Sequence, residues 1–65
     1  MYKIKKNIQL DLNITQKEMA EIVGVSENWI SLILTGKKKC SKMVAYAITK
    51  TIFRESEIED YFERV

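Results

Sequence analysis

Gly24 is one of only two glycines in the chain, and it falls between two helical patterns. Before it, Met19, Ala20 and Val23 form one apolar stripe; after it, Ile30 and Ile33 form another. A glycine directly after the last apolar position predicts a left-handed backbone that ends the first helix. Ser26, two residues later, has the side chain of an N-cap and predicts the start of the second helix. Whatever else the chain does, it must accommodate two helices meeting across a turn of about four residues.

The flanking signals agree. "TQKE" at residues 15–18 is a capping box: the Thr15 hydroxyl can accept from the Glu18 amide while the Glu18 side chain reaches back. Ala20 is small where the two helices approach closely, and Val25 follows the turn as an apolar plug. The second helix runs to about Leu34 or Thr35, where Gly36, the other glycine, stops it.

The remaining segments also read as helical. Ile4 and Ile8 predict a helix over about 2–11, with Lys3, Lys5 and Lys6 toward water. Ser41 can cap a helix whose inner face is Val44, Ala47, Ile48 and Ile52. "SEIE" at 56–59 is a second capping box, and Ile58, Tyr61, Phe62 and Val65 follow at helical spacing. There is no proline, no repeat and no segment that alternates like a strand over more than a few residues. The expected fold is all-α: a single domain over residues 1–65 with five short helices.

Such a short chain buries only about 60% of its unfolded surface, so it needs a well-packed core, a staple or a partner. Its single cysteine, Cys40, precludes an intrachain disulfide, and with no histidine Cys/His zinc sites are excluded. Cys40 is either an ordinary small residue near a loop or, given the adjacent lysines, a reactive thiol. No cofactor, metal or small-molecule ligand is expected. The apolar runs are too short for a signal peptide or a membrane span, so a cytoplasmic protein with no membrane partner is expected. Residues 1–42 carry eight lysines against four acids, whereas 43–65 carry three basic groups against five acids. A basic front and an acidic back either address a polyanion or simply keep the surface solvated.

Two helices across a glycine turn are the helix-turn-helix arrangement, whose second helix enters the DNA major groove. Over "TQKEMAEIVGVSENWISLILTGKK", residues 15–38, the chain resembles the phage repressor/Cro-like helix-turn-helix family. Gln16 matches the family's glutamine, Ala20 its small residue and Gly24 its turn glycine. Val23, Val25, Ile30 and Ile33 match the apolar positions, and Gly36 the closing glycine, with basic residues after it. The chain departs from the pattern at Leu34 and Thr35, where an acid and Asn are frequent, and at Phe53, where a Gly is frequent. The resemblance implies a lambda-repressor-like fold and a small DNA-binding regulator, most often a repressor.

On a helical wheel Asn28, Ser31, Leu32 and Thr35 lie opposite Ile30 and Ile33, with Glu27 and Trp29 on the flanks. The resemblance puts Glu27, Asn28, Ser31 and Leu32 at base edges. Asn28 suits adenine and Leu32 a thymine methyl. Glu27 can accept from cytosine, be held by Gln16, or favour the helix N-terminus. Leu32 has burial as its alternative reading. Trp29 reads equally as a phosphate donor or a core aromatic. Gln16, Lys17 and Ser26 face a phosphate from the helix starts, and Lys37, Lys38 and Lys39 either grip phosphates or form a solvated loop.

The expected partner is double-stranded DNA with a palindromic operator, bound by a homodimer whose interface is the stripe of Tyr61, Phe62 and Val65. Those three residues fit a core equally well. A protein-interaction module, an antitoxin or antirepressor on the same scaffold, is the alternative function. An enzyme is not expected, because the chain has no histidine, no metal cluster and no phosphate-cradling glycine loop.

Overall fold

Tyr2–Ile4, where a helix was expected, is a strand, β1, in the computed structural model, which describes residues 1–6, 14–52 and 54–65. Four helices follow: α1 (Gln16–Val23), α2 (Glu27–Leu34), α3 (Lys42–Ile52) and α4 (Ile58–Tyr61). A second strand, β2 (Phe62–Arg64), closes the order. The described residues therefore form a small α+β domain with four helices and a two-stranded antiparallel sheet. This corrects the expected all-α, five-helix, lambda-repressor-like architecture.

The sheet explains the correction. β1 pairs antiparallel with β2 in the register Tyr2↔Arg64, Lys3↔Glu63 and Ile4↔Phe62. On its other side Tyr2 exchanges two hydrogen bonds with Cys40, at 2.7 and 2.8 Å. The Lys5 amide donates to the Tyr61 carbonyl at 2.9 Å and the Val65 amide to the Met1 carbonyl at 3.0 Å. Ile4 points inward and is 5% exposed. Tyr-Lys-Ile-Lys alternates with period two, but only over a few residues, and its partners lie tens of residues away. The remainder of the expected first helix, residues 7–11, lies outside the described residues, as does Phe53.

The C-terminal end differs for the same reason. α4 is a single turn; at Phe62 the backbone becomes extended (φ −123°, ψ 153°). Phe62 then reaches the core from a strand, and Val65 stays exposed, so the expected helical stripe does not form. The expected "SEIE" box is also displaced by one residue. Ser56 is buried, its carbonyl accepts from the Lys50 ammonium at 2.6 Å, and Glu57 becomes the N-cap. The Glu57 amide donates to the Asp60 carboxylate at 2.8 Å.

In α3 the inner face is Ala45, Ile48, Thr49 and Ile52 rather than Val44, Ala47, Ile48 and Ile52. Thr49 is fully buried because its hydroxyl donates to the Ala45 carbonyl at 2.8 Å, which removes the cost of an unpaired polar atom. These residues pack with Ile4, Met19, Ala20, Ile30, Ile33, Cys40, Ile58 and Phe62 in one core. No helix among the described residues is long and apolar enough to cross a membrane.

Candidate functional site

The glycine turn forms as its chemistry predicts. The Thr15 hydroxyl accepts from the Glu18 amide at 3.1 Å and the Glu18 carboxylate accepts from the Thr15 amide at 3.3 Å. Gly24 ends α1 at φ 87°, its amide donating to the Ala20 carbonyl at 2.8 Å. Ser26 caps α2 by accepting from the Trp29 amide at 3.1 Å. Its hydroxyl hydrogen can still donate outward. Three residues thus join α1 to α2, and Met19, Ala20, Ile30 and Ile33 lock the pair to the core.

This packing leaves one side of the pair open. Gln16, from the start of α1, meets Glu27, Asn28 and Ser31 of α2 around one shallow depression. Glu27 and Asn28 are exposed, while Gln16 and Ser31 are half-buried. Glu27 lies in the first turn of α2, where the positive end of the helix dipole favours a carboxylate without any ligand. Asn28 has no such local role. Lys17 is exposed beside Gln16 on the first turn of α1. An amide pair, a hydroxyl and a carboxylate around one open depression can hydrogen-bond edges of bases or a polar protein surface; they define no enclosed cavity.

Leu32 is half-buried without joining the core, so it sits at the margin of this face. Leu34 packs on the core. Thr35 is exposed, in keeping with its expected outward position, and its hydroxyl donates to the Ser31 carbonyl at 2.8 Å. Gly36 follows at φ 79°. Trp29 is 36% exposed, which removes its reading as a plain core aromatic. The Lys38 ammonium lies 4.5 Å from the Trp29 ring centroid, so this lysine is not freely solvated. Lys37 and Lys39 are exposed on either side.

Other expected features do not converge on a surface. Phe62 is 1% exposed and belongs to the core, Tyr61 is half-buried against it, and Val65 is exposed. The three residues therefore do not form one helical stripe: they face different environments. Cys40 is buried, and burial pushes its thiol pKa up against a smaller opposing pull from the N-terminal ammonium. That favours an unreactive thiol. Among the described residues no group of three or more His, Cys, Asp or Glu could hold a metal ion.

Sequence reasoning missed the surroundings of the far end of α2. Lys3, Lys5 and Lys6 line a cleft with Leu34, Thr35 and Gly36. The only local signal for this was the alternation of Lys3 and Lys5 about Ile4.

No family model matches the chain, and no curated protein or solved structure matches it.

Proposed function

We propose that the domain binds double-stranded DNA and reads its sequence, with α2 in the major groove. The observation that carries this reading is the convergence of Gln16, Glu27, Asn28 and Ser31 on one exposed rim where α1 and α2 meet. Asn28 is the principal base reader, through a bidentate pair with adenine; Ser31 and Leu32 lie one turn further along α2. Gln16, Lys17 and Ser26 take phosphate on one side, and Lys37, Lys38 and Lys39 on the other. The resemblance of residues 15–38 to the phage repressor/Cro-like helix-turn-helix family supports the same reading.

In this role the protein is a small transcriptional regulator, most simply a repressor that occupies its operator. A single short reading helix gives limited discrimination, so two copies on a palindromic site are expected. Selection of bound sequences from a random duplex pool tests the reading directly. An enriched motif, with an adenine whose selection depends on Asn28, is the expected result. No duplex binding at moderate salt would overturn it and favour the interaction-module reading.

A further inference from the structure

β1 runs across the C-terminal end of α2. A Cβ built on Gly36 would lie 3.8 Å from Ile4 Cγ2 and 3.9 Å from Lys3 Cε. Ile4 is buried at the floor of this contact, and Lys3, Lys5 and Lys6 line the same cleft around it, beside Leu34, Thr35 and Gly36. The paired hydrogen bonds between Tyr2 and Cys40 tie this segment to the residue that directly follows Lys37, Lys38 and Lys39. Two lysine triplets, far apart in the chain, thus bracket the same helix end.

The local explanation for lysines at a helix C-terminus is the partial negative charge of the last carbonyls. That charge amounts to about half an elementary unit. Lys3, Lys5 and Lys6 alone exceed it, and the Lys38 ammonium is held over Trp29 rather than at those carbonyls. Across the sheet Glu63 stands opposite Lys3 and offsets one of the three. The geometry also fits a duplex. An eight-residue helix is about 12 Å long, close to the roughly 12 Å width of the major groove. With the first turns of α2 on base edges, its far end meets the phosphate strand along the groove wall.

We propose that Lys3, Lys5 and Lys6 form a second backbone grip, which holds duplex phosphates together with the 37–39 loop. This rests on the DNA-binding reading above, and it adds residues from an element outside the helix pair. The grip strengthens binding to every sequence and leaves base choice to α2.

The test is binding of a mixed-sequence duplex of about two helical turns, followed by fluorescence anisotropy over a range of salt concentrations. K3Q/K5Q/K6Q is expected to bind more weakly, with the slope of log affinity against log salt reduced by between about 1 and 3. K3R/K5R/K6R is expected to keep the parent slope. If the glutamine variant fails to fold, K6Q, which alters an exposed residue, should still lower the slope by about 0.9. A folded variant with the parent slope overturns the grip while leaving DNA reading intact. A parent protein that shows no salt-dependent duplex binding overturns both.

Discussion

The Lys38 ammonium sits over the Trp29 ring, 4.5 Å from its centroid. This couples the loop after α2 to the first turn of α2. The contact is worth only about 0.5–1 kcal/mol at an exposed site. It therefore orients the lysine without trapping it. Lys38→Ala is expected to weaken binding to all duplexes alike and to lower the salt slope by about 0.9. Trp29 is the only tryptophan, so its emission should shift both in this variant and when DNA is added. An unchanged spectrum with an unchanged slope would remove Lys38 from the interface.

Asn28→Ala should act differently. The side chain is exposed, so stability should change by no more than about 0.5 kcal/mol. Affinity for the selected site should fall by about 1–3 kcal/mol, with preference relaxed at one base position. Competition titrations with cognate and random duplexes check this. Equal weakening of both would show that Asn28 does not read a base.

Gly24→Ala isolates backbone strain. No atom beyond its two chain neighbours lies within 4 Å of the Cβ that alanine would add, so packing against the rest of the domain contributes nothing. The positive φ alone should cost about 1–2 kcal/mol, or roughly 5–15 °C in melting temperature for so small a domain. Gly24→Asn should lose less, because asparagine tolerates the left-handed region. Thermal melts of both variants decide it; an alanine variant that melts with the parent contradicts the account.

Phe62→Ala is expected to destabilise the domain by about 3–5 kcal/mol, enough to unfold much of the population. Val65→Ser should stay within about 0.5 kcal/mol of the parent. Circular dichroism and sedimentation together separate a core role from an interface role. A Phe62→Ala chain that stays folded but changes its association state would reverse the assignment.

Cys40 sets a pH dependence with a definite sign. Its folded pKa lies above the unfolded value, so folding favours the neutral thiol. That contribution is present in full below the unfolded thiol range, about pH 8.5, and is lost as pH rises through the higher folded value. Urea melts should show stability falling above that range in the parent, and less so in Cys40→Ala. Alkylation of the native thiol near neutral pH should be slow. Rapid native alkylation would contradict a buried thiol.

The legible parts of the fold were those decided within a few residues. Thr15, Glu18, Gly24, Ser26 and Gly36 act on their own helices, and each stands where its chemistry predicts. The extended backbone at Tyr2–Ile4 is not legible locally because its partners, Phe62–Arg64 and Cys40, are distant in sequence. Thr49 was passed over because its hydroxyl looks exposed in a list of residue types and is satisfied only within the helix. At the candidate site, the exposure of Asn28 is legible from helical phase alone. The contact of Lys38 with Trp29 depended on how the chain turned back after Gly36.

The pairing of Tyr2 with Arg64 has a kinetic consequence. Contacts between α1 and α2 close short loops, whereas the sheet must bring together the two most distant stretches of the domain. Closing a loop of that length costs more entropy, and such pairings slow folding. The helix pair can therefore nucleate while the sheet is still open. Order of assembly thus bears on the proposed interface: the helix proposed to read bases can form before the sheet that carries the proposed lysine grip is closed.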